Sequence, residues 1–283
     1  MKLPAVLQEL LEEAVIDEVL RQLKSGKEAS VYVVRSGSEL RCAKVYKDMA
    51  QRSFQRRAQY QEGRKVRGSR EARAMAKGSR YGRKEQEGAW KNAEVDALYR
   101  LTGAGVRVPK PFGFFNGVLI MEMLTDAQGN CASRLGELAL SAEVARTYHE
   151  FIVRQIVRML CAGLIHGDLS PFNVLVDAQG PVIIDLPQAV DAAGNNNAFA
   201  MLERDVRNIT DALGQFAPEL LQTDFAREMW ALFELGELKP DSPLTGVAIK
   251  DETVTNLDEV VLAIEDARYQ EMLRRERERE DAA

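Results

Sequence analysis

The sequence predicts an α+β protein in two parts. A β-rich N-terminal part, with one helix after its first hairpin, precedes a helix-rich C-terminal part. Three observations carry this reading. Residues 31–46 and 108–124 each place apolar, β-branched or aromatic runs on either side of a short turn, as hairpins do. Residues 141–163 and 198–235 repeat apolar positions at helical spacing. The chain changes character around Met123–Asp126, which divides 1–124 from 125–283. A cleft between two such parts is a common place for a ligand.

In chain order, residues 5–23 carry acidic residues through an apolar periodicity and predict an amphipathic helix, not a signal peptide. "SGKEASVYVVRSGSELRCAKVYK" then predicts a hairpin turning at Ser36–Glu39. A basic segment follows to residue 84, broken by Gly63, Gly68, Gly78 and Gly82, and reads as a mobile loop with helical patches. "EQEGAWKNAEVDALYRLTGAG" is a helix closed by glycines. "VPKPFGFFNGVLIMEML" supplies two strands with an Asn-Gly turn at 116–117. After the 141–163 helix, short strands are expected near 174–176 and 182–184, and helices over 198–235 and 257–280.

Bulk properties exclude several classes. No apolar run approaches the roughly 20 residues that span a bilayer. Cys42, Cys131 and Cys161 stand singly, without metal or disulfide spacing, which points to a reducing cytoplasm. His149 and His166 are the only histidines, too few for a histidine-based metal site. The net charge of −5 conceals a block: residues 52–84 carry twelve Lys/Arg against Glu62 and Glu71, so this segment is +10 and the remainder −15. Such a block is either a solvated loop or an interaction surface.

The chemistry concentrates in "HGDLSPFNVLVDAQGPVIIDLPQ", His166–Gln188. Phosphoryl transfer from ATP needs a carboxylate to accept the nucleophile's proton, oxygen ligands for Mg²⁺ and a cation on the phosphates. Asp168, Asn173 five residues on, and Asp185 after the second apolar run meet the first two needs, with the Asp-to-Asn spacing of a kinase catalytic loop. Any one of them alone would be a turn residue or a strand cap. Three in this order favour a site. Lys44 on its predicted strand is placed to meet phosphates, and Glu94 on the next helix to hold that lysine. Gly26 alone is a weak phosphate cradle. Glu122 and Leu124 in "LIMEML" are positioned to offer backbone groups to an adenine.

"SGKEASVY", "AKVYK", "LIMEML", "HGDLSPFNVLV" and "IIDLPQAV", in this order across roughly residues 20–212, resemble the RIO family of atypical protein kinases. The Gly-Lys-Glu-Ala loop and the Ile-Asp-x-x-Gln motif separate that family from conventional kinases. The resemblance implies a two-lobed protein-kinase-like fold without a conventional activation segment, using ATP and Mg²⁺ or Mn²⁺. It implies that Ser25, Lys27 and Val31 cover the nucleotide, that Lys44 and Glu94 serve its phosphates, and that Met121, Glu122 and Leu124 line the base. Asp168 would be the catalytic base, and Asn173 and Asp185 the metal ligands. In the family the residue matching Asp185 can also accept the phosphate, giving an ATPase cycle. Asp205 in "ERDVRNI" would brace the catalytic loop. The branch with an N-terminal winged-helix domain is not expected.

Gly167 stands where conventional kinases carry Arg, so a phosphorylated activation loop would lack its partner. Ala217-Pro218-Glu219 reads as a helix start with Pro near its first position, because it follows the Asp205 helix. The resemblance places autophosphorylation in the basic segment, where Ser53, Ser69, Ser79, Tyr60 and Tyr81 are the acceptors available. It also makes the segment 52–84 a docking surface for ribosomal RNA or a ribosome precursor, against the plain alternative of a solvated loop. Three functions compete: a protein kinase acting on serine or threonine, a small-molecule kinase of the aminoglycoside or choline type, and an ATP-gated binding module on ribosome precursors. The Gly-Lys-Glu-Ala loop, "DLPQ" and the basic insert argue against the second.

Overall fold

The computed structural model describes residues 3–26, 29–47 and 93–247. Lys27, the basic segment 52–84 and the helix expected over 257–280 lie outside the described residues.

The first helix, α1 (Ala5–Glu12), is shorter than the sequence predicts, because Ala14 takes a left-handed φ of 52°. Val15, Ile16 and Val19 then favour extended backbone, and the chain enters β1 (Glu18–Ser25), which pairs antiparallel with β2 (Ala29–Ser36). The predicted helix over 5–23 is therefore a helix followed by a strand. Pairing across a sheet overrides a local helical pattern that is weak once β-branched residues enter it. The β2–β3 hairpin (β3, Glu39–Tyr46) forms where expected, with Gly37 at φ 64° in its two-residue turn.

Between β3 and β4 (Pro111–Phe115) lies helix α2, described over residues 93–103. Asn116 and Gly117, at φ 47° and 82°, close the hairpin from β4 to β5 (Val118–Glu122). Both positive angles suit the right-handed strand twist, which explains the Asn-Gly pair. The sheet order is β1-β2-β3-β5-β4.

Strand alternation splits the sheet into two faces. Tyr32, Val34, Ala43, Val118 and Ile120 pack with Leu7, Leu10 and Ile16 under α1. Lys44 follows Ala43, so it lies on the opposite face, opposite Leu119 in the ladder. Leu119 joins Val95, Leu98 and Leu101 of α2 in the larger core of the C-terminal half. The face that carries Lys44 is thus turned toward α2.

That larger core is built on α3 (Ala142–Cys161), α4 (Ala198–Gly214) and α5 (Phe225–Glu234). Ser141 caps α3 by accepting from the Val144 N–H, and Gly163 at φ 73° turns the chain out of it. Five short strands follow in the chain or flank it: β6 (Ser133–Arg134), β7 (Leu164–Ile165), β8 (Val174–Asp177), β9 (Gly180–Ile183) and β10 (Val190–Asp191). The β7–β10 pair, through Ile165 and Val190, closes the base of the polar stretch that opens at His166 and ends at Gln188. Only residues 186–197 lie between Asp185 and α4. The helix expected over 198–235 is broken: α4 ends at Gly214, Pro218–Gln222 forms one 3-10 turn, and Asp224 caps α5 through the Arg227 N–H. Pro218, without an N–H, cannot continue α4 but can start a turn.

Candidate active site

Lys44 extends from β3 to two carboxylates. Its ammonium donates to Glu94 Oε1 at 2.6 Å and to Asp185 Oδ1 at 3.0 Å. Lys44 and Glu94 are both largely buried, with side chains 12% and 6% exposed. Burial alone would favour the neutral amine, but the charges of Glu94 and Asp185 outweigh it and hold the lysine firmly protonated. The Tyr46 hydroxyl donates to the other Glu94 oxygen at 2.6 Å, and burial followed by that charge raises the phenol far above its ordinary range.

Asp185 follows β9 with φ at 68°, a left-handed angle uncommon for any residue but glycine. Burial pushes its carboxyl up, yet Lys44 more than offsets this and holds it below the usual carboxylate range. Such a strained conformation, kept because Lys44 fixes the carboxylate, is typical of residues aimed into a site.

Three residues of α4 hold the backbone of the loop after β7. Asp205, 1% exposed, accepts from the Gly167 N–H at 2.7 Å and the Leu169 N–H at 2.9 Å. Arg204 donates to the Gly167 carbonyl and Asn208 to the Leu169 carbonyl. Burial pushes the Asp205 carboxyl up to about 6, against the pull of those two N–H groups. Gly167 sits at φ 78°, so the position read from sequence as a lost arginine has its own reason: both its amide groups are engaged in a left-handed conformation. The Asp168 N–H donates to His166 Nδ1, which makes Nδ1 the acceptor and leaves Nε2–H to donate to the Ile184 carbonyl at 3.0 Å. His166 thereby ties the loop to the residue before Asp185.

With its backbone held, Asp168 presents an exposed side chain. Its Oδ2 accepts from Gln188 Nε2 at 3.2 Å. Asn173 donates through Nδ2 to the Asp168 carbonyl at 2.9 Å, which points its amide oxygen elsewhere. That oxygen and the second oxygen of Asp185 are hard donors of the kind Mg²⁺ takes, and the residues present fit such an ion.

At the end of the first strand, Ser25 closes β1. Its hydroxyl accepts from Lys47 Nζ at 2.8 Å, and the same ammonium donates to the Gly26 carbonyl at 2.8 Å. Val31 lies opposite Lys44 in the β2–β3 ladder, and Met121 opposite Cys42 in the β3–β5 ladder. The Glu122 N–H donates to the Lys110 carbonyl, and the Leu124 carbonyl accepts from the Ala132 N–H. Arg107 bridges the two parts, pairing with Glu122 on β5 and Asp177 on β8.

The structure thus brings Lys44, Glu94 and Asp185 into direct contact, and joins Asn173 to Asp168. Ser25, Val31, Met121 and Glu122 lie on the sheet, and Leu124 lies two residues beyond the end of β5. Sequence reasoning missed Tyr46 and Lys47, and it took Gln188 for a family mark without seeing that it touches Asp168. Tyr46 reads as an ordinary aromatic strand residue, and Lys47 as a surface lysine. Only the folded chain shows their partners.

A strand lysine held by a helix glutamate, a clamped loop carrying Asp and Asn, and a second Asp facing the lysine define a protein-kinase-like fold. Residues 30–226 match the family model of the RIO domain. The chain is 34% identical over 208 residues to the RIO-type serine/threonine-protein kinase Rio1 of Haloferax volcanii, covering 73% of this chain and 67% of that one. It is 29% identical to the serine/threonine-protein kinase RIO1 of Homo sapiens and 26% to that of Chaetomium thermophilum, over 73% of this chain in each case. The match spans only 35% and 41% of those two relatives. This chain belongs to the RIO family of atypical kinases. Among the described residues no helix is long and apolar enough to cross a membrane.

Proposed function

We propose that this cleft transfers the γ-phosphate of ATP to serine hydroxyls, on the chain itself and on protein substrates. The observation that carries the reading is Lys44, held between Glu94 and Asp185 on one side of a cleft whose other side presents Asp168. Lys44 supplies the cation for the phosphates. The Glu122 carbonyl and the Leu124 N–H are the backbone groups assigned to the adenine edge, since the Glu122 N–H and the Leu124 carbonyl are engaged elsewhere. Gln188 holds one Asp168 oxygen, so the other accepts the proton of the attacking hydroxyl. That hydroxyl oxygen bonds to the γ-phosphorus as the bond to the β–γ bridging oxygen breaks, and ADP leaves. Asn173 and Asp185 would hold Mg²⁺ or Mn²⁺, which supplies charge neutralisation on the phosphates when bound. The relatives, serine/threonine-protein kinases by name, support a protein acceptor over a small molecule.

Asp185 is also a candidate acceptor, forming an aspartyl-phosphate that water then hydrolyses. One experiment addresses both readings. Asp168→Ala is expected to lower transfer from labelled ATP at least about hundredfold while ATP still binds. Retained autophosphorylation in this variant sinks the assignment of the base. In the wild type, label on serine should survive hydroxylamine and label on Asp185 should not; the absence of any labile label removes the covalent route. The basic segment 52–84 is assigned to ribosomal RNA on charge, as part of a role in ribosome assembly. Ribosome binding that does not weaken as salt is raised would remove that assignment.

A further inference from the structure

Glu94 is 4% exposed, and both its carboxylate oxygens are engaged from β3, one by Lys44 and one by Tyr46, each at 2.6 Å. Lys44 and Tyr46 are two residues apart on one strand, so they project from the same face and reach the same side of α2. We propose that Tyr46 is a positioning residue, a second latch on Glu94 that keeps α2 docked whether or not ATP occupies the cleft. The inference rests on the kinase reading for its use, but not for its geometry.

The two latches differ in what else claims them. Lys44 is already shared between Glu94 and Asp185, at 2.6 and 3.0 Å, and a triphosphate would be a further partner for the same ammonium. If Lys44 alone held Glu94, the grip on α2 would change as the nucleotide came and went. Tyr46 is uncharged, so a phosphate does not compete for it as it does for the ammonium. Its ring packs edge-on against Phe114 of β4, with centroids 6.3 Å apart and planes at 70°. The Lys44 ammonium lies 5.5 Å from the Tyr46 ring centroid, which adds a weak attraction between the latches. The ring is therefore placed by the sheet, and the hydroxyl meets Glu94 from a position set without the nucleotide. Burial and the Glu94 charge keep the phenol protonated, so it remains a donor at any working pH.

On the proposed function, this arrangement would also let the site work without an external switch. Gly167 leaves no arginine to read a phosphorylated loop, and only residues 186–197 separate Asp185 from α4. A helix glutamate held twice from the neighbouring strand needs no such signal to stay in place.

The test is hydrogen–deuterium exchange on the full chain, wild type against Tyr46→Phe, each with and without ATP and Mg²⁺. Phenylalanine keeps the ring against Phe114 and removes only the hydroxyl. In the wild type, exchange over residues 93–103 should change by less than about twofold on adding ATP. In Tyr46→Phe without ATP it should rise about tenfold, the loss of one hydrogen bond to a buried charge, and ATP, by drawing on Lys44, should raise it further. The same variant should lose about tenfold in kcat while KM for ATP moves by less than about threefold. Exchange over 93–103 that stays within about twofold of wild type in the variant overturns the latch. So does an equal rise across the β2–β3 ladder, which would mean general loosening. Should ATP protect nothing around Ser25 and Lys44 in the wild type, the kinase reading falls, and the comparison without ATP still decides the latch.

Discussion

Lys44 on β3 is held by opposite charges, whereas the loop that carries Asp168 is held by backbone bonds to one buried carboxylate. The two attachments suit different duties. An ammonium has three donors on a flexible stem and can redistribute them among Glu94, Asp185 and phosphate oxygens. The N–H groups of Gly167 and Leu169 point where the backbone directs them, and Asp205 meets both at once. On the proposed function, the cation side can therefore adjust as phosphates arrive and leave. On that reading the base side is held fixed, as a proton acceptor must be if it is to meet the attacking hydroxyl at hydrogen-bonding distance.

The sharpest way to break this contrast is to strand a charge. Lys44→Met leaves Glu94 buried and charged, with only the Tyr46 hydroxyl facing it among the described residues. Removing one partner of a buried pair in this way is expected to cost about 3 kcal/mol of stability. Lys44→Met combined with Glu94→Gln removes the stranded charge and should recover more than half of that loss, measured by urea unfolding at neutral pH. Losses that simply add in the double variant would show that packing, not charge, holds the β3 side together.

How the cleft is held was less legible in the sequence than what it contains. Asp168, Asn173 and Asp185 could be read because their spacing and residue types answer a chemical need within one short stretch. Lys44 and Glu94 could be read because a strand and a helix were each plain from periodicity, although their contact spans fifty residues. Asp205 could be read only through resemblance to the RIO family; nothing in its neighbourhood sets it apart from any helix aspartate. Tyr46 and Gln188 carry no local signal at all, since a tyrosine in a strand and a glutamine after a proline have ordinary explanations. The failed helix over residues 13–23 has the same cause. Its apolar spacing suited a helix, but the hydrogen bonds available from β2 decided the outcome. The two-residue strands β7 and β10 were too short to show any period, yet they close the base of the catalytic stretch.

The contrast also predicts which side acid should act on. Lys44 titrates far above neutrality, so it keeps its charge as pH falls from 7 to about 4, and it holds Asp185 below the usual carboxylate range. The base side holds two groups that change charge in this range, and their effects oppose each other. His149 on α3 is buried, bonded to the Thr210 hydroxyl at 2.8 Å and packed against Phe225, and burial lowers its pKa from 6.5 to about 4. Its folded value is depressed, so its contribution to stability is complete above 6.5 and is lost as pH falls toward 4. Asp205 has a folded value raised from 3.8 to about 6, so its contribution is complete below 3.8 and is lost as pH rises through 6. Over the shared window each is worth on the order of 2 kcal/mol, with opposite sign. His149→Gln, which keeps a partner for Thr210, should make the chain gain stability relative to wild type on acidification. Asp205→Asn, which can accept only one of the two N–H groups, should make it lose stability relative to wild type over the same range, beyond a pH-independent loss of about 1–2 kcal/mol for the N–H left unpaired. Urea midpoints for the three chains at about pH 7 and about pH 4.5 decide it. Parallel pH slopes in the two variants would mean that neither group titrates where its burial places it, and that the base side is no more sensitive to acid than the lysine side.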